Sequence, residues 1–258
     1  MDKPLIPALH SATKYTSNLS ARSALYSDFY LLIHDLNEPF LPKDYQAFII
    51  VENRLTRASG SARRKLWEEL HKRYILDSSH PLFAAFWSEW IRAKPEAERA
   101  LTAYVLFALK DPLVCDLGTN WLFPYLRLAP SEIRVEEVLN FIQQSSSSHP
   151  EVAAWSAETI KRVAQHYMAS VRDFGLARGK GRKLTVRPSL HAAPIRLLIK
   201  ALRLTGTKDI DVVRSPIFRL LSLDSSEVIN ALSELNQRGE LHFKMQADVI
   251  ELDLGATR

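Results

Sequence analysis

Apolar residues recur at helical spacing over most of the chain, and proline, glycine and serine mark the breaks between runs. From Ser17, the residues Leu19, Ala24, Tyr26, Phe29, Leu32 and Ile33 predict an amphipathic helix ending near Asn37-Glu38-Pro39. Leu41-Pro42 opens a second helix, in which Tyr45, Phe48, Ile49, Glu52 and Leu55 share helical spacing. Ala58-Ser59-Gly60-Ser61 breaks it: Gly60 suits a left-handed stop, and Ser59 or Ser61 can cap the next helix. That third helix places Leu66, Trp67, Leu70 and Tyr74 on one stripe, with Arg63, Arg64, Lys65, Lys72 and Arg73 largely off it. Glu69 stands at i,i+4 to Arg73 and can pair with it. After His80-Pro81, the residues Phe83, Phe86, Trp87 and Trp90 make an aromatic face expected in the core, as are Trp67, Tyr104 and Trp155.

Residues 96–109 predict a helix with acids in its first turn, where the macrodipole favours them. Pro112 and Pro124 bracket a short helix over 117–123, and Ser131 is expected to cap one over 132–144. Residues 145–150 read as a polar connector. Ser156 then caps a helix carrying Ile160, Val163, Tyr167 and Val171, closed by Gly175. The last sixty residues change character. Helices are predicted over 195–204, 211–221 (bent or restarted at Pro216) and 227–238, closed by Gly239. Residues 241–245 and 249–254 alternate with period two, as in a hairpin. Three helices followed by a hairpin is the winged-helix order.

Two separated stretches carry a family resemblance. The first is Glu52-Asn53-Arg54-Leu55, Arg57-Ala58-Ser59, Ser61-Ala62 and Arg64. The second is Trp155, Ser156, Thr159 and Ile160, followed by Leu184-Thr185-Val186-Arg187-Pro188 and His191-Ala192-Ala193-Pro194. In this order they resemble BrxA, a component of the BREX bacteriophage-resistance systems, over roughly residues 15–195. The resemblance implies a helical core related to the antitermination factor NusB, with a short strand-like segment over 184–187, and no enzyme activity. The chain runs some sixty residues beyond the matching elements. The expected fold is therefore mainly α: a NusB-like helical bundle followed by a small winged-helix domain with a β-hairpin. Its expected parts are a lead-in over 1–16, a helical lobe over 17–144, a long helix and basic loop over 150–190, and the winged-helix-like domain over 191–258.

Composition narrows the function. Of 258 residues, 47% are hydrophobic and 24% charged, as in an ordinary globular protein. A single cysteine, Cys115, excludes an internal disulfide and suits a reducing compartment. The start M-D-K-P-L-I-P-A-L-H lacks the basic-then-apolar pattern of a signal peptide. The longest apolar run, over 100–109, is about half a bilayer span. A cytoplasmic protein without a membrane span is expected.

No catalytic constellation stands out. The histidines are scattered, and none pairs with Cys115 or another histidine at metal-ligand spacing. The run G-L-A-R-G-K-G over 175–181 lacks the four-residue gap and the hydroxyl residue of a phosphate loop. No cofactor and no small-molecule substrate are expected.

Charge is more informative. The net charge is +5. Between Arg172 and Lys208 there are ten cations and one acid, Asp173. The candidate nucleic-acid-binding residues are Arg63, Arg64, Lys65 and Arg73 on the third helix, with Arg178, Lys180, Arg182, Lys183, Arg187, Arg196 and Lys200 further on. A solvated basic face and a soluble linker are the plainer alternatives. The last predicted helix offers Ser225, Ser226, Asn230 and Gln237 to a groove, but also Asp224, Glu227 and Glu234, which would repel phosphate. The sequence thus points to a non-enzymatic accessory protein that binds double-stranded DNA non-specifically and associates with other BREX proteins. A protein-docking adaptor without DNA contact and a winged-helix transcription regulator remain open.

Overall fold

The computed structural model describes residues 5–10, 13–246 and 249–255. The remainder of the expected lead-in and of the C-terminal hairpin lies outside the described residues. The chain is mainly helical, as its periodicity predicts. No helix among the described residues is long and apolar enough to cross a membrane.

Helices α1 (Tyr26–Ile33), α2 (Pro42–Ile50) and α3 (Gly60–Arg73) come first. The expected helix from Ser17 is shorter than its apolar spacing suggested. Asn18–Ser20 forms only a 3-10 turn, and Leu25, at φ 55°, breaks the path before α1. Helix α2 likewise stops at Ile50 rather than running on to Leu55. The left-handed residues after it are Asn53 (φ 53°) and Thr56 (φ 51°), while Gly60 is already inside α3. Asn53 holds this turn by accepting from the Arg57 amide (2.8 Å) and donating to the Arg57 carbonyl (3.1 Å). The cap of α3 is Ser59, whose hydroxyl accepts from the Ala62 amide at 3.2 Å.

Helices α4 (Pro81–Trp90) and α5 (Glu96–Lys110) supply the centre of the core. Phe83, Phe86, Trp90 and Tyr104 are buried, whereas Trp67 and Trp155 are half-buried against the core. The lead-in is partly folded. Ile6 and Tyr15 are buried, the Tyr15 hydroxyl bonds Asp116, and its ring stacks on His149 at 3.5 Å.

The expected short helix around 117–123 is part of a longer helical path. It runs from α6 (Pro112–Asp116) through a π-helical turn, Leu117–Leu122, to α7 (Phe123–Arg127). Both prolines sit at the first or second position of a helix, where no amide donor is needed. The helix expected from 132 starts later. Glu132–Ile133 is a strand, β1, and α8 is Val135–Gln144. The connector 145–150 is largely made of 3-10 turns. Helix α9 (Ala157–Asp173) is capped by Ser156, as expected.

The glycine-spaced basic stretch is a β-hairpin rather than an open loop. Strands β2 (Ala177–Arg178) and β3 (Lys183–Thr185) pair antiparallel, and β3 also pairs with β1. The sheet order is β1-β3-β2. Gly179 turns the chain at φ 99°, and a Cβ there would collide with the Arg182 carbonyl oxygen.

Helix α10 (Ala192–Leu204) is apolar apart from one stripe of cations, Arg196, Lys200 and Arg203. It packs on α4 and α5 and is almost entirely buried. The expected boundary before residue 191 thus falls at a helix built into the core. Beyond it come α11 (Asp209–Arg214), a 3-10 turn Pro216–Leu221, α12 (Ser225–Gln237) and the hairpin β4 (His242–Gln246)–β5 (Val249–Asp253). This C-terminal module docks where the 3-10 turn meets the π-helical turn. The approach is close enough that a Cβ on Gly118 would collide with Leu220 Cδ2 and with the Tyr104 hydroxyl.

Candidate nucleic-acid interface

The candidate cations separate into three groups once folded. The first is buried and structural. Arg73, 1% exposed, makes the expected i,i+4 pair with Glu69 at 2.7 Å. Its remaining donors reach the carbonyls of Asn18 (3.1 Å), Arg22 (2.6 Å) and Ser23 (2.5 Å). Burial pulls the Arg73 guanidinium below its usual range, and Glu69 offsets part of that pull. Arg196, 4% exposed, pairs with the fully buried Glu89 of α4 at 2.7 Å and with Glu240 at 2.9 Å. Burial works against its charge, but the two carboxylates outweigh this and raise it. Lys200, one turn on, reaches the same Glu89 at 2.5 Å. Arg73 and Arg196 are therefore not surface residues, and Lys200 is committed to the core side of α10. The pair of Arg73 with Glu69 was readable at i,i+4, but nothing local announced the burial of Arg196 and Lys200, because Glu89 lies on another helix.

The second group is α3. Arg64 and Lys65 are exposed, and Arg63 is half-buried with Nη1 donating to the Ile50 carbonyl at 2.7 Å. This helix packs on α2, whereas the basic hairpin packs on the 125–133 segment and the end of α9. The two cationic groups thus sit on different elements.

The third group is the β2–β3 hairpin. Arg178 and Lys180 are exposed without an ion pair among the described residues. Lys183 Nζ bonds the Lys180 carbonyl at 3.1 Å across the turn. Arg182 pairs with Glu132 of β1 at 2.7 Å, and Arg134 reaches the other oxygen of that carboxylate at 3.2 Å. Those bonds hold the Glu132 carboxyl below its usual range. Thr185 anchors the hairpin: its buried hydroxyl donates to the carbonyls of Tyr125 (3.0 Å) and Ser131 (3.2 Å).

Two residues past Thr185, Arg187 meets a cluster the sequence did not reveal. Arg187 Nη2 bonds Glu227 Oε1 at 2.6 Å, and Arg127 at the end of α7 pairs with both Asp224 (2.5 Å) and Glu227. The guanidinium groups of Arg127 and Arg219 lie 5.7 and 5.3 Å from the centre of the Phe123 ring. The acids expected to repel phosphate from α12 are thus spoken for: Asp224 and Glu227 face arginines, and Glu234 pairs with Arg238. Asp224 also caps α12 by accepting from the amides of Ser226 and Glu227. The Glu227 amide, the Ser226 hydroxyl and Arg127 together hold the Asp224 carboxyl down to about 2. Arg127, Arg187 and Arg219 stand 32 or more positions apart in pairs, so no local run of charge announces them.

Among the described residues no group of three or more His, Cys, Asp or Glu side chains is placed to hold a metal ion. The family model for BrxA matches residues 13–201. The chain belongs to the BrxA family. The match takes in both stretches that carry the resemblance and ends inside α10, so α11, α12 and the C-terminal hairpin lie beyond it. No curated protein matches the chain. Membership in BrxA associates the chain with BREX phage defence and with the other proteins of that system.

Proposed function

We propose that this BrxA-family chain is a non-enzymatic, cytoplasmic accessory component of a BREX system that binds double-stranded DNA without strong sequence preference. The observation that carries this reading is the β2–β3 hairpin. Arg178, Lys180, Arg182 and Lys183 crowd onto one tight turn, and Glu132 is the one carboxylate paired to it among the described residues. Cations on a rigid ribbon neutralise phosphates and release condensed counterions, with little demand on base identity. The reading that the chain carries no reaction draws support from two buried titratable groups that have structural tasks. Asp111, raised by burial, caps α6, and Cys115, raised by burial, packs in the core.

The finer architecture is part of the proposal: a NusB-like helical core and a winged helix formed by α10, α11, α12 and the β4–β5 hairpin. The element order supports it. The test is duplex affinity measured across a salt series. Changing the four hairpin cations to alanine is expected to flatten the slope of log affinity against log salt by about three units. An unchanged slope would end the hairpin reading.

The second reading is a protein adaptor, and one feature favours it. A cleft of about 270 Å³ lies between the 187–191 strap and α12, with Leu190, Leu223 and Ala231 among its apolar lining and Asn230 and Glu234 on its polar side. Co-purification with other BREX proteins, in a preparation that retains no DNA at low salt, would favour this reading. A winged-helix transcription regulator is the weaker form of either.

A further inference from the structure

The base of the hairpin and the arginine cluster are neighbours along the chain and across one hydrogen bond. Strand β3 ends at Thr185 and Arg187 lies two residues later, a reach of about 7 Å. Thr185 is bonded to the Tyr125 carbonyl, and Arg127 lies two residues beyond Tyr125. The end of the hairpin is therefore held within two residues of both Arg187 and Arg127. Arg127 and Arg187 meet at the carboxylates of Asp224 and Glu227, and Arg219 lies against the same Phe123 ring as Arg127.

The two carboxylates divide their oxygens between separate tasks. Asp224 Oδ1 caps α12, while Oδ2 takes Arg127. Glu227 Oε1 takes Arg187, while Oε2 takes Arg127 and the Asp224 amide. The arginine contacts can thus open without removing Asp224 Oδ1 from the helix cap. All four of the paired side chains are at least 24% exposed, so water and another anion can reach them.

We propose that Arg127, Arg187 and Arg219 form a latent phosphate site. In the free protein Asp224 and Glu227 occupy it as internal stand-ins for phosphate, and a nucleic-acid backbone lying on the β2–β3 hairpin displaces them. The inference rests on the nucleic-acid reading above and extends it to three residues and a competition. It makes the acids of α12 regulators of affinity rather than obstacles to it. A guanidinium fork suits phosphate oxygens as well as it suits carboxylates, so exchange between the two requires no rearrangement of the arginines.

The test is Glu227→Gln, which keeps an oxygen for the Asp224 amide but sheds the charge, with Asp224→Asn as a second variant that keeps the capping oxygen. Two probes are used: a 20-base-pair duplex and inorganic polyphosphate. Freeing up to two arginines is expected to steepen the log–log salt slope on duplex by about one to two units and to tighten low-salt binding several-fold. Adding Arg127→Ala and Arg187→Ala to Glu227→Gln should cancel the gain. If neither carboxylate variant binds either probe more tightly than the parent, the latent site is overturned. If the variants gain on polyphosphate while parent and variants alike ignore duplex, the latent site stands and the DNA reading fails.

Discussion

Glu89 of α4 holds Arg196 at 2.7 Å and Lys200 at 2.5 Å, one carboxylate serving two cations a helical turn apart. Glu89 is fully buried. Removing one partner from a buried charge cluster strands the others, a loss of about 3–5 kcal/mol. Glu89→Ala is therefore expected to lower the unfolding free energy by that amount in urea titration. Arg196→Ala should behave as a folding defect. If it instead flattened the salt dependence of DNA binding at undiminished stability, the placement of Arg196 in the core would be wrong.

Arg73 ties α3 to the carbonyls of residues 18, 22 and 23. Arg73→Ala should cost about 3–5 kcal/mol by the same logic. Lys65→Ala, on the exposed face of the same helix, should stay within about 0.5 kcal/mol. Equal effects of the two changes on melting temperature would refute the distinction.

Range along the chain decided which features were legible in the sequence. Helix faces depend on neighbours three and four residues away, and Phe86, Trp90 and Tyr104 lie where their spacing put them. The Glu69–Arg73 pair was legible for the same reason. The partners of the other cations were not. Glu89 is 107 positions from Arg196, and Glu227 is 40 from Arg187. Half of the ten cations between Arg172 and Lys208 are thus answered by acids from outside that span. The short strand expected at 184–187 overlaps β3, but its partner β2 was hidden: two residues are too few to show a period, and Gly179 and Gly181 read as loop. The break at Thr56 had no signal at all, since a β-branched residue is a poor choice for φ 51°.

Gly118 permits contact between the π-helical turn and Leu220. Gly118→Ala forces a methyl into that contact, at an expected cost of about 1–3 kcal/mol. Limited proteolysis should then cut the 205–224 region faster than in the parent. Unaltered cleavage and unaltered melting would show that the two turns yield without strain.

Asp224 titrates near 2, below its ordinary carboxylate value. A depressed folded-state value stabilises the charged form, so its contribution is complete above pH 4 and fades as pH falls toward 2. Asp224→Ala should therefore destabilise the protein at pH 6, and the gap from the parent should narrow by pH 2.5. A gap that is constant across this window in urea titrations would assign the effect to something other than the carboxylate.

Gly179 turns the hairpin at a positive φ that alanine adopts only under strain, and a Cβ there meets the Arg182 carbonyl. Gly179→Ala is expected to weaken duplex binding several-fold with a melting temperature within a few degrees of the parent, because the tip is exposed. Full affinity in this variant would mean that the shape of the turn is irrelevant to binding.

Helix α10 lies against α4 and α5 and opens directly into the C-terminal module. Thirteen residues of helix make a rod about 20 Å long. It is bolted by two cations to one buried acid, and Arg196 reaches on to Glu240 just before β4. A load applied at the start of β4 therefore reaches the middle of the molecule through the Glu240–Arg196–Glu89 chain of ion pairs. Whatever grips that end of the chain pulls on α4 as well.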